Sequence, residues 1–190
     1  LHGLWLTTQI SVVSIVIGTA LGILAATARQ MGGRPTRLIV DSYVEIIRNT
    51  PFLVQLFILF LGFPAIGLRI GATSAALIAM TINLGAYSTE IVRAGIESIH
   101  PSQLEAGAAL GFTRRQIYQH VVLMPALARV WPALCSQFVL MMLASSVTSA
   151  ISTPELAAAA ALIESQTFRS FEVYILVTLV YLALALMLRG

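Results

Sequence analysis

The 190-residue sequence predicts an all-α membrane protein, with about five transmembrane helices and one short helix on the cytoplasmic side. Three observations predict it. Apolar residues make up 58% of the chain and charged residues only 10%, where soluble domains average about 45–50% and about 25%. The mean hydropathy is +0.90. The charges also leave uncharged gaps long enough to cross a bilayer. A soluble domain of this length still exposes roughly a third of what its unfolded chain exposes, so lipid must be the solvent for most of this chain. That excludes a soluble enzyme, a disordered segment and a nucleic-acid-binding domain, and no nucleic acid is expected as a partner.

The gaps place the spans. A bilayer core about 30 Å thick needs roughly 20 apolar residues as helix. Five spans follow, at about 4–28, 40–62, 72–96, 127–150 and 168–188, within one domain over 1–190. Pro51 and Pro132 fall in the second and fourth, where proline kinks a transmembrane helix without ending it. The first segment has no basic start, and its apolar run exceeds the 7–15 residues of a signal peptide. It is expected to be retained as a span.

Topology is written in the arginines. All eleven basic residues are Arg, none is Lys, and the net charge is +3. In a membrane protein such an excess records orientation. With alternating spans, Arg29, Arg34, Arg37, Arg93, Arg114, Arg115, Arg129 and Arg189 fall on one side, and Arg69 and Arg169 on the other. Eight against two predicts an outside N-terminus and a cytoplasmic C-terminus. Cys135, a lone cysteine among apolar neighbours, reads as a helix filler. His2, His100 and His120 are too scattered to propose a metal site.

Two polar features interrupt this apolar frame. The cytoplasmic segment 97–126 is too long for a simple connector. Within it Ser102-Gln103-Leu104-Glu105 fits a capping box, in which Ser102 caps the first turn and Glu105 reaches back to the Ser102 amide. Leu104, Ala106, Ala108 and Ala109 extend that helix, Gly111 stops it in the left-handed conformation, and a second helical run covers 114–122. The other feature is ionisable or hydroxylic groups in the spans. Asp41, Glu45 and Arg48 share one helix face, and each such charge costs at least about 2.5–3.5 kcal/mol to insert. They either neutralise one another or face a cavity. Glu90 and Arg93 are spaced to pair, and Glu155 and Glu164 are expected at the outer mouth. Ser145, Ser146, Thr148, Ser149 and Ser152 serve close packing or line a solute path, and Asn83 has the same two readings.

The run Glu105-Ala106-Gly107, then Gly111, then Val121-Val122-Leu123, resembles the EAA loop of bacterial ABC-importer permeases. Gly107 stands for the second Ala, Val121 for Ile, and the closing Pro is displaced by one, to Pro125. Arg48-Asn49-Thr50-Pro51 resembles the R-G-T-P turn of the polar amino acid branch, which includes the histidine and glutamine systems. The segment from Gly85 to Ile96, with Tyr87, Glu90 and Arg93, resembles G-A-Y-x-x-E-x-x-R-G-G-I. Ser145-Ser146-Val147 with Glu155-Leu156 resembles T-S-L with its trailing E-L. Leu143-Ala144 stands where the family usually has Lys-Asp, which implies a different solute or a paired, non-identical subunit that carries those charges.

The resemblance implies a permease of the cytoplasmic membrane that moves a polar amino acid by alternating access. Its coupling helix is then Ser102, Gln103, Leu104, Glu105, Ala106, Gly107, Leu110 and Gly111. Its candidate solute-path residues are Arg48, Thr50, Asn83, Tyr87, Glu90, Ser145, Ser146, Ser149 and Glu155. The implied partners are ABC ATPase subunits, a second permease subunit, identical or homologous, a periplasmic or extracellular solute-binding protein, the amino acid and membrane lipid. A P-loop needs a Lys to reach the nucleotide phosphates, and this chain has none. Hydrolysis, with its ATP and Mg, is therefore expected in the partner ATPase, and no cofactor in this chain. The rival reading is a secondary transporter or ion-conducting protein with its buried charges as a relay. Such transporters often carry inverted repeats; none is visible here. A bare membrane anchor leaves the polar residues inside the spans unexplained, and no nucleophile and base suggest an enzyme.

Overall fold

The computed structural model describes residues 1–189. Among them no strand occurs, and the elements follow in chain order as α1 (His2–Met31), α2 (Arg34–Arg48), α3 (Phe52–Ala65), α4 (Ala72–Glu97) and α5 (Pro101–Ala109). Then come the single turn α6 (Arg114–Gln116), a π-helical stretch Ile117–Leu123, α7 (Met124–Ala144) and a 3₁₀ stretch Ser145–Ile151. α8 (Leu156–Thr167) and α9 (Ser170–Arg189) close the chain. Four helical stretches are long and apolar enough to cross a membrane, and five if α2 and α3 count as one bent span.

α1 and α4 form the centre of the bundle. Small and hydroxylic residues line the buried face of α1, among them Thr7, Ser11, Ser14, Gly18, Gly22 and Ala26. Without large side chains between them the two backbones approach closely, the packing mode that serves helices in lipid. Gly22 marks the tightest point, where an added Cβ would stand 2.4 Å from the Ser88 Cβ. Gly95 does the same for α7, with Val130 2.6 Å from its notional Cβ. α9 has no buried residue in the isolated chain; its apolar face is left for lipid or for other chains.

The structure divides the expected span at 40–62. α2 and α3 meet at 104° across Asn49–Pro51. Pro51 lacks the N–H that would continue α2 and bars the preceding residue from helix. The freed carbonyls are satisfied by Gln55, whose Nε2 donates to the Ile47 carbonyl (2.7 Å), the Thr50 carbonyl (3.1 Å) and Thr50 Oγ1 (2.8 Å). Asn83 of α4 in turn donates to Gln55 Oε1 over 3.0 Å. The break is thus a bonded joint beside the middle of α4.

The segment 97–126 also differs from a loop carrying two short helices. Helix resumes at Arg114 and continues through the π stretch into α7 and the 3₁₀ stretch as one rod, Arg114–Ile151. The π stretch ends two residues before Pro125, at Leu123. Proline clashes with the carbonyl four residues back, and the wider π turn relieves that contact. The displaced proline noted in the sequence and the π stretch are one local feature.

Candidate functional site

The short helix α5 begins differently from its sequence expectation. His100, not Ser102, is the N-cap: its Nδ1 accepts from the Ser102 amide over 3.2 Å. Pro101 is the reason, because proline with its fixed φ suits the first helical position and draws the N-cap two residues upstream, from Ser102 to His100. Ser102 then lies inside the first turn, and its hydroxyl sits 2.7 Å from His100 Nδ1. The Ser102–Glu105 capping box does not form. A capping box does form at the next turn, where Thr113 and Gln116 bond reciprocally.

The C-terminus of α5 closes at Gly111, with φ +78°. The Phe112 amide bonds the Gly107 carbonyl over 3.1 Å, and the Gly111 amide bonds the Ala108 carbonyl over 3.0 Å. This is the Schellman arrangement, and glycine takes the left-handed position without a Cβ penalty. Ser102, Gln103, Leu104, Glu105, Ala106 and Leu110 are exposed, and Gly107 alone of α5 is buried. A Cβ on Gly107 would lie 3.2 Å from Ile117, so α5 rests edge-on against the π stretch. Arg129 of α7 bonds Ser98 at its carbonyl (2.8 Å) and hydroxyl (2.7 Å), fastening the end of α4 to the same rod. A force on α5 therefore reaches α4 and α7 through packed and bonded contacts.

Three of the expected path residues, Arg48, Tyr87 and Glu90, converge on one cleft of about 490 Å³ between α1, α2 and α4. Arg29, Asp41, Glu45, Asn49 and Arg93 also line it. Of the two readings open for Asp41, Glu45 and Arg48, the second holds: they face a cavity and do not pair with one another along α2. Asp41 instead bonds Arg29 of α1, and Glu90 bonds Arg93 one turn along α4. Arg93 reaches Glu97 over 2.6 Å as well. Arg48 stands 3.7 Å from Glu90 and lies over the Tyr87 ring, 5.4 Å from its centroid, a favourable cation–π placement. α2 crosses α1 and α4 where their charges are concentrated, so the nearest counter-charge is on the neighbouring helix rather than on its own.

Thr50 and Asn83 belong to the joint between α2 and α3, one step from this cleft through Gln55. Gln55 itself was not singled out by sequence reasoning. A lone glutamine in an apolar helix shortly after X-Pro is the signal by which it could be found.

The remaining path candidates lie elsewhere. Ser145 is fully buried and donates to the Met142 carbonyl over 2.7 Å, while Ser146 and Ser149 bond carbonyls three residues back. These hydroxyls serve the 3₁₀ stretch in which they sit. Glu155 is not at an open mouth; it is completely buried. Its Oε1 accepts from the Ala158 amide (2.8 Å), capping α8, and its Oε2 accepts from Tyr181 (2.8 Å) and Thr7 (3.4 Å). A carboxylate in lipid needs such donors, and α1 and α9 supply them. Among the described residues no group of His, Cys, Asp and Glu could hold a metal ion.

A family model described as binding-protein-dependent transport system inner membrane component matches residues 18–190. The chain is 35% identical to the probable glutamine ABC transporter permease protein GlnM of Bacillus subtilis (strain 168), over 98% of this chain and 86% of that one. It is 34% identical to the glutamine transport system permease protein GlnP of Escherichia coli (strain K12), over 99% and 87%. Among solved structures, a crystal structure of an amino acid ABC transporter with histidines superposes with TM-score 0.89 at 35% identity, over 98% and 87% of the two chains. An inward-facing MetNI methionine ABC transporter shares the fold, with TM-score 0.79 at 21% identity.

Proposed function

Because the chain belongs to the family of binding-protein-dependent transport system inner membrane components, we propose that it forms the membrane wall of an importer for a polar amino acid, driven by ATPase subunits at α5. The observation that carries this reading is α5 itself. It is exposed, capped at both ends, and packed through Gly107 on the π stretch that leads into α7, while Arg129 of α7 fastens the end of α4 to the same rod. Leu104, Leu110 and Phe112 are exposed beside it and offer apolar purchase to a docked subunit.

The side that α5 faces is the cytoplasm on this reading, because the arginine-rich ends lie there. The N-terminus is then outside and the C-terminus inside. ATP and Mg sit in the partner, since no Lys is present for a P-loop. Closure of two ATPase subunits would draw two copies of α5 together and tilt α4 and α7, opening the solute path outward. A solute-binding protein delivers the amino acid, and hydrolysis resets the path. The cleft at Arg48, Tyr87 and Glu90 lies at the inner section of that path.

Gentle purification of the tagged chain from its native membranes tests this reading. An ATPase subunit that stays bound to the wild-type chain, and dissociates when Glu105 and Gly111 are replaced, is the expected result. A chain isolated alone that moves solute without ATP would overturn it.

A further inference from the structure

The charged groups of the cleft are not equally engaged. Arg29 and Asp41 bond each other, and Glu90 and Arg93 bond each other. Two groups are left over. Among the described residues the Glu45 carboxylate has no hydrogen bond or ion pair, and the Arg48 guanidinium donates no hydrogen bond, its one ion-pair contact being the 3.7 Å approach to Glu90. They stand one turn apart on α2, where side chains are neighbours, yet they do not pair. The Arg48 guanidinium lies over the Tyr87 ring, 5.4 Å from its centroid, and its N–H fork, with no hydrogen-bond acceptor of its own, is free for a carboxylate.

From this we infer that Glu45 and Arg48 form a two-point site for the zwitterionic head of an α-amino acid: Glu45 accepts from the ammonium and Arg48 donates to the carboxylate. The inference rests on reading the cleft as part of the solute path. The lining charges, three Arg against Asp41, Glu45 and Glu90, cancel, which suits a ligand of no net charge better than an anion or a cation. A volume of about 490 Å³ holds one amino acid with its side chain turned away from both poles. Such a site reads the head group and leaves the side chain to other parts of the transporter.

The test is calorimetric titration of the purified transporter complex, without its solute-binding protein, using L-glutamine, N-acetyl-L-glutamine and the α-amide of L-glutamine. In the wild type, blocking either pole is expected to weaken binding about tenfold or more, the worth of a hydrogen bond to a charged group. In Glu45→Gln the acetylation penalty is expected to fall below about threefold while the amide penalty persists, and Arg48→Gln is expected to show the reverse. Penalties unchanged in both variants would overturn the site, as would a wild-type complex that binds no L-glutamine. Unchanged size-exclusion profiles guard against misfolding. The underlying path reading is tested separately by Asn49→Cys in a Cys135→Ala background. A bulky maleimide at that cleft-lining position should block uptake, and undiminished uptake would remove the cleft from the path whatever the titrations show.

Discussion

Tyr181 of α9 donates its phenol hydrogen to Glu155 across 2.8 Å, at a carboxylate with no solvent exposure. Thr7 of α1 donates to the same oxygen, and its own hydroxyl oxygen accepts from the Leu156 amide over 3.0 Å. One buried acid therefore ties the start of α1, the start of α8 and the middle of α9. Glu155→Ala should strand these donors and lower stability by about 2–5 kcal/mol, and Tyr181→Phe by about 1–2 kcal/mol. Thermal unfolding in mild detergent checks both. A Glu155→Ala variant as stable as the wild type would make the carboxylate dispensable to the fold.

The contact of Gly22 with Ser88 predicts opposite signs for the same substitution at two glycines. Gly22→Ala places a methyl 2.4 Å from the Ser88 Cβ and 2.9 Å from α4 backbone, so α1 and α4 must separate, at a cost of about 1–3 kcal/mol. Gly62→Ala in α3 meets nothing within 4 Å. It should stabilise by about 0.5–1 kcal/mol through the lost backbone freedom of glycine. Paired melting curves decide the comparison.

Gln55 predicts a defect confined to the joint. Gln55→Leu keeps the bulk but removes the donors to Ile47 and Thr50 and leaves the buried Asn83 amide without its acceptor. A loss of about 2–4 kcal/mol is expected. Asn83→Ala, which leaves the α2–α3 bonds in place, should cost less. Equal losses would mean that the bond to α4, not the turn itself, carries the stability.

At α5, Gly111→Val forces a β-branched residue to φ +78° and should cost about 1–2 kcal/mol, with Gly111→Asn intermediate. Gly107→Val pushes α5 from Ile117. Both variants are expected to reach the membrane in normal amount yet lose ATP-driven uptake. Membrane abundance and uptake, measured together, separate a coupling defect from misfolding.

The long apolar helices were legible because charge is excluded from lipid at a cost that propensity cannot override, so the uncharged stretches before Arg29, between Arg69 and Glu90, between Arg129 and Glu155 and between Glu172 and Arg189 mark them directly. The stop of α5 was legible in Gly111 for a similarly local reason. Its start was not, because S-x-x-E at Ser102 and Pro at position 101 compete for the same cap, and proline prevailed. The cleft was half legible: Arg48, Tyr87 and Glu90 carry visible motifs, but which carboxylate meets which arginine depends on how α2 crosses α1 and α4. Glu155 was misplaced for the same reason. Nothing near it in sequence announces Thr7, 148 residues away, and an acid after Thr153-Pro154 looks like any exposed loop.

On the proposed function, ATP energy enters this chain through α5. This is tested most directly by ATP-driven amino-acid uptake in proteoliposomes holding the complex purified from native membranes, with the wild-type chain or with Gly107→Val. ATP-dependent uptake is expected for the wild type, and for the variant ATP hydrolysis that continues while uptake is lost. Equal uptake by both, or uptake that needs no ATP, would contradict it.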